Sequence, residues 1–135
     1  MCVQEWVSFT AYDTSSANAQ TSLLRVFSSA GNDIARLYVD NKGLLWIRSD
    51  WGSSPNITTV TVPANGTWHS AELCVTTTPA ATTGTMWALW DGKNLGTITG
   101  VDNSADALAS IDIGERNPAT FSFEVDDVSV GTSQR

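Results

Sequence analysis

Apolar residues in this chain recur at every second position in short bursts, and no segment of useful length shows the spacing of three and four that a helix face requires. "WHSAELCVTT" puts Ala71, Leu73 and Val75 on one face, and "TMWALW" puts Met86, Ala88 and Trp90 on one face. "ITTVTVP" carries Ile57, Val60 and Val62 in the same manner. Similar strand-like runs are "VQEWVSFTAY", "TSLLRVFSS", "IARLYVD", "LLWIRS", "LGTITG", "ALASIDIG" and "FSFEVDDVSV". Between them stand clusters of Gly, Asn, Asp, Ser and Pro, the residues that turns select. "DNKG" predicts a hairpin setting Tyr38-Val39 against Leu45-Trp46-Ile47, and Asp91-Gly92 predicts another. Roughly ten short strands at regular spacing imply an all-β chain, a two-sheet antiparallel sandwich or jelly roll, with residues 1–135 as one domain.

The final strand breaks its own pattern. Phe121, Phe123 and Val125 occupy odd positions, whereas after Asp126 and Asp127 the apolar residues are Val128 and Val130. A one-residue slip sends every side chain to the other face, so the switch of parity predicts a β-bulge at the two aspartates.

Charge narrows the range of partners. Charged residues make up 16% of the chain and the formal net charge is −7, with no basic cluster in the sequence. A phosphate-binding surface needs concentrated Lys or Arg, so nucleic acid is not expected as a partner. No apolar run reaches the ~20 residues that cross a bilayer, so membrane insertion is not expected. "MCVQEWVSF" lacks the basic start and apolar stretch of a signal peptide and reads as a strand. The spacing of Cys2 and Cys74 excludes a compact zinc motif, and His69 is the single histidine. Spacing leaves open whether the two cysteines form a disulfide or remain two thiols.

The order of landmarks is "ARLYVDNKGLLWI", "VPANGTWHSAEL", "MWALWDGKNLGTITG", "ASIDIGERN" and "FSFEVDDVSV". Together, from about Trp6 to Val130, they resemble the laminin G-like, concanavalin A-like lectin and glucanase jelly roll. The "G-x-W-H-x-x-E-L" step, the "D-G" hairpin, the "I-x-I-G" strand and the terminal "D-D-V" strand recur there in this order. The resemblance implies a jelly-roll sandwich. Related domains commonly carry a further N-terminal strand beside the "D-D-V" strand, which this chain would lack, leaving an open sheet edge for strand addition.

The resemblance also raises glycan cleavage, since glucanases of this fold use closely spaced glutamates. Retaining hydrolysis needs two carboxyls roughly 5 Å apart. Asp112 with Glu115 has odd spacing, and Glu124 with Asp126 has the right parity but lacks the third acid and the aromatic neighbours of the glucanase motif. The chain is therefore expected to be non-catalytic.

Sugar binding is the expected activity. Tryptophan faces stack on pyranose rings while Asn, Asp and amides bond the hydroxyls, and the chain has six tryptophans. Trp6, Trp68 and Trp90 fall in apolar patterns and are expected in the core. Trp46, Trp51 and Trp87 form the candidate platform, with Arg48, Asp50 and Asn56 as polar contacts. Asn56 and Asn65 sit in sequon-like triplets that would accept glycans only in a secretory eukaryotic host and otherwise read as ordinary turn residues. Asp126 and Asp127 are the candidate metal ligands; Ca2+ suits their hard oxygens, and capping of loop amides is the competing role. The expected function is a lectin-like carbohydrate-binding or adhesion module at an extracellular, cell or virion surface, with a polysaccharide or glycan as partner. The alternative is a structural module of a filament, cell-wall protein or virion that binds protein partners, or itself, through a sheet edge.

Overall fold

The structure, a computed structural model, describes residues 1–49, 57–77, 83–101, 107–114 and 120–132. Ten strands follow in chain order: β1 (Cys2–Ala11), β2 (Gln20–Ser28), β3 (Asp33–Asp40), β4 (Leu44–Ser49), β5 (Ile57–Thr61), β6 (Trp68–Thr76), β7 (Gly84–Trp90), β8 (Lys93–Val101), β9 (Leu108–Ile113) and β10 (Ser122–Gly131). They build two five-stranded sheets, ordered β10-β1-β6-β7-β8 and β5-β4-β3-β2-β9, and every pairing between neighbours is antiparallel. All ten segments legible in the sequence are strands, each bounded by turn residues and of a length suited to one sheet crossing.

The core lies between the sheets. Val3, Val7 and Phe9 of β1, with Ala71, Leu73 and Val75 of β6, point inward from the first sheet. Ala35, Leu37 and Val39 of β3, with Leu45 and Ile47 of β4, meet them from the second. Each fully buried Leu, Ile or Phe contributes roughly 1.5–3 kcal/mol through the water it leaves. Phe9 stacks on Phe123 of β10 at 5.2 Å, which ties the edge strand to the core.

Turn chemistry sets the registers. Asp91 and Gly92 both have positive φ, 50° and 73°, the signature of a tight two-residue hairpin. In the β3–β4 turn Gly43 has φ 75°, and an added Cβ there would lie 2.9 Å from the Tyr12 ring. Cys2 and Cys74 occupy directly opposed positions on β1 and β6 and are joined by a disulfide, S–S 1.99 Å.

The parity switch in β10 is a bulge. Gln4 and Trp6 of β1 pair with Ser129 and Asp126, so β10 spends three residue steps where β1 spends two. Asp127 holds φ 48° within it. On its other side β10 has no partner strand among the described residues.

Candidate functional site

Strand parity gives each sheet an outer face, and the two faces differ in chemistry. On the second sheet, Arg25 pairs with Arg36, Arg36 pairs with Arg48, and Arg25 also pairs with Asp112 of β9. Directly opposed residues share a face, so three arginines form one row across β2, β3 and β4. They are three of the chain's seven Lys and Arg. Asp33 restrains the row, accepting a 2.9 Å hydrogen bond from Arg25 Nε, while Arg25 also lies over the Phe27 ring.

A parallel row, two residues along, is aromatic. Tyr38 pairs with Trp46, and their rings stand 6.4 Å apart at 10°, nearly parallel. The Arg36 guanidinium sits 5.0 Å from the Tyr38 ring centre. Trp46 is held by Asp40, whose Oδ2 accepts from Trp46 Nε1 at 3.0 Å while its Oδ1 accepts from the amides of Lys42 and Leu44. Beside this pair a cavity of about 330 Å³ opens, lined by Tyr38, Trp46, Asn18, Gln20, Asn41 and Lys42. Asn41 Nδ2 donates to the Ser16 carbonyl and joins the two loops of its rim. Arg36 and Tyr38 are nearly covered, whereas Trp46 and Arg48 are half-buried.

The first sheet presents the opposite character. Trp6 and Trp68 are 40% and 41% exposed. With Asp126 and Asp127 they line a cavity of about 200 Å³. Asp126 lies directly across from Trp6, and its Oδ1 accepts the Asp127 amide at 2.8 Å.

Several sequence expectations change here. Trp6 and Trp68 are not core residues. Val3, Val7 and Phe9 take the inward face of β1, which turns Trp6 outward, and Ala71, Leu73 and Val75 do the same to Trp68. Trp90 is buried as expected. Trp46 and Trp87 do not form one platform, because they lie on the outer faces of different sheets, Trp87 pairing with Cys74 and Thr97 in the first. Arg48 shares a face with Trp46, two residues along β4. Asp50, Trp51 and Asn56 lie outside the described residues. Asn65 closes an Asx turn, its Oδ1 accepting the Thr67 amide.

Calcium does not fit Asp126 and Asp127 well. The ion takes 6–8 oxygen ligands, yet the cavity is otherwise walled by indole rings, and no further Asp, Glu, His or Cys among the described residues completes a set of three there. Cys2, Glu72 and Cys74 do cluster, but both sulfurs are committed to the disulfide. Glu124 shares the outer face with Asp126, opposite Ser8, while Glu115 lies outside the described residues.

Three features escaped the sequence reading. The arginine row depends on the registers of two successive hairpins, β2–β3 and β3–β4. His69 Nδ1 lies 2.7 Å from Asp91 Oδ2 and its ring stacks on Trp90, which ties β6 to the β7–β8 hairpin. Glu5 points inward with 0% exposure, and neither carboxylate oxygen has a hydrogen-bond partner among the described residues. Burial raises its pKa to about 8. Only the parity of Glu5 with Val3 and Val7 gave notice of this.

No protein-family model matches the sequence, and no curated protein matches it. Solved structures do match. A SAP-like pentraxin from Limulus polyphemus aligns with TM-score 0.57 and 12% identity over 94% of this chain and 61% of its own. An endo-β-1,4-glucuronan lyase from Trichoderma reesei aligns with TM-score 0.50 and 14% identity over 90% of this chain and 53% of its own. An alginate lyase of polysaccharide lyase family 7 aligns with TM-score 0.46 and 10% identity over 96% and 59%. The fold is therefore the concanavalin A-like jelly roll, and the chain spans less than two thirds of these structures. The expectation of a non-catalytic chain does not stand. The same fold carries a glucuronan lyase, so the want of a glucanase-type carboxylate pair is no ground for excluding catalysis.

Proposed function

We propose that this chain engages an acidic polysaccharide, of the polyuronate class, across the outer face of its second sheet. The observation that carries the reading is the Arg25–Arg36–Arg48 row beside stacked Tyr38 and Trp46, in a protein of net charge −7. Guanidinium groups match carboxylates in planar, two-pronged geometry, which lysines do not. Aromatic faces add stacking on the sugar rings. The half-buried Trp46 and Arg48 meet the ligand, while the nearly covered Arg36 supplies positive potential from below. Lys42, Asn41 and Gln20 extend the polar contacts into the rim cavity. The polysaccharide lyases that share the fold lend support to a polyuronate ligand. A surface or extracellular setting, where such polymers occur, is part of this proposal.

A second reading, elimination on the bound polymer, is favoured by one contact: the Arg36 guanidinium over the Tyr38 ring. A lyase must neutralise the uronate carboxylate, so that the proton on the adjacent ring carbon becomes acidic. A base removes that proton, the electron pair forms a carbon–carbon double bond, and the glycosidic oxygen leaves and is protonated. In this reading an arginine of the row neutralises the carboxylate and the Tyr38 hydroxyl exchanges the proton.

The test is affinity electrophoresis through gels containing glucuronan, alginate or a neutral glucan, with ultraviolet detection of unsaturated sugar ends. Retardation by the uronates alone, relieved in Arg48→Ala, is expected. Equal retardation by the neutral glucan overturns the proposal. Unsaturated ends produced by the wild type and lost in Tyr38→Phe establish the second reading, and their absence in the wild type removes it.

A further inference from the structure

The first sheet carries a groove with no place in the polyuronate reading. Its floor and walls are Trp6 and Trp68, the most exposed tryptophans for which exposure is described, and its rim is Asp126 and Asp127. Exposed indole surface of this size stays in water at a cost that burial in the core would have avoided. The bulge in β10 does further work, because it inserts Asp127 and sets both aspartates next to Trp6. A regular strand would have placed them on alternate faces.

Charge decides what fits. Glu72, Glu124 and Asp126 lie on the outer face of this sheet. Lys93 is the only Lys or Arg in its strands, and it sits in β8, the edge strand opposite β10. The groove therefore repels anions, including the polymer assigned to the opposite face, and favours a cation. Two tryptophan faces accept either an ammonium group, through the negative face of the ring, or the apolar face of a pyranose. A cavity of about 200 Å³ holds a single ring or head group.

We propose that the Trp6–Trp68–Asp126–Asp127 groove is a second binding site, for a cationic amino sugar of the 2-amino-2-deoxyhexose class within a glycan. The pyranose ring stacks on an indole, the ammonium pairs with the two carboxylates, and the remaining hydroxyls face solvent. An oligolysine supplies the charge without the ring, and a neutral glucan supplies the ring without the charge, so both are discriminating competitors.

Isothermal titration calorimetry at mildly acidic pH, where the amine is protonated, tests this with glucosamine oligomers, their N-acetylated counterparts, cello-oligomers and oligolysine. Glucosamine oligomers are expected to bind, with the acetylated and neutral oligomers weaker by roughly tenfold, the worth of one charge-assisted ammonium–carboxylate contact. Asp126→Asn and Trp6→Ala are each expected to lower affinity by about the same factor, while Thr97→Ala on the same face leaves it unchanged. Asp126→Asn is an exposed, isosteric change, so its folded state is secure, and thermal melting checks Trp6→Ala. Equal binding of cello-oligomers, tighter binding of oligolysine, an unchanged Asp126→Asn variant, or no binding of any glucosamine oligomer would each overturn the proposal.

Discussion

The two outer faces of this sandwich are made by the same strand grammar and carry opposite chemistry. The second sheet gathers Arg25, Arg36 and Arg48 in one row beside Tyr38 and Trp46. The first gathers Glu72, Glu124 and Asp126 with Trp6, Trp68 and Trp87. The net charge of −7 therefore describes the first surface and not the second. Charge in a sheet protein is sorted by strand parity and by which strands become neighbours, and an acidic chain can still gather its arginines into one row, here balanced by Asp33, Asp40 and Asp112 of the same sheet.

The faces are also supported differently. Beneath the first sheet lies Glu5, a carboxyl with no partner among the described residues and a pKa raised by burial to about 8. A folded pKa above the unfolded value of 4.5 means that the native state binds the extra proton. The Glu5 contribution to stability is then fully present below about pH 4.5 and is lost as pH rises toward 8. The loss is on the order of 5 kcal/mol across that window. Glu5→Gln is expected to flatten this slope and to stabilise the protein at the alkaline end, as read by denaturant melts at several pH values. An unchanged slope would show that Glu5 is solvated.

Next in size is the disulfide of the same sheet. Cys2 and Cys74 close a loop of sequence separation 72, and chain entropy assigns such a bridge roughly 4 kcal/mol at most, less any residual order in the unfolded chain. The Cys2→Ala/Cys74→Ala double variant is expected to melt well below the wild type while keeping polyuronate binding, since the arginine row is on the other sheet. Loss of that binding at a temperature where the variant is folded would mean that the two faces are coupled.

Smaller effects concern the second face alone. Arg36→Ala is expected to weaken polyuronate binding by about 2 kcal/mol, roughly thirtyfold, because it removes the central charge of a largely desolvated row. Trp46→Ala is expected to cost about 1 kcal/mol, the worth of one stacking contact, with no change in salt dependence. Arg48→Ala should lower the salt dependence as well as the affinity, since the interaction lost is ionic.

Much of this architecture was legible in the sequence. All ten strands, the hairpin that sets Tyr38 against Trp46, and the bulge at Asp126-Asp127 follow from local parity and turn residues. Local parity also contained the correction for Trp6 and Trp68, since both are out of phase with the apolar residues that follow them. Membership of a sheet was not legible. Trp46 and Trp87 both alternate with core residues, and only the pairing of β4 with β3 and of β7 with β6 puts them on opposite sides of the molecule. The arginine row is set by two successive hairpins: Arg36 against Arg48 lies in the same β3–β4 register as Tyr38 against Trp46, and the step that local pattern did not fix is the β2–β3 register, which carries two shifts and sets Arg25 against Arg36.

On the proposed reading the arginine row, and not the tryptophan-rich acidic face, holds the polyuronate. Titration of glucuronan into wild type, Arg48→Ala and Thr97→Ala, each at low and at moderate salt, measures this directly. Weakened binding and a shallower salt dependence are expected in Arg48→Ala, with Thr97→Ala indistinguishable from wild type. Undiminished binding in Arg48→Ala, or a loss in Thr97→Ala, would contradict it.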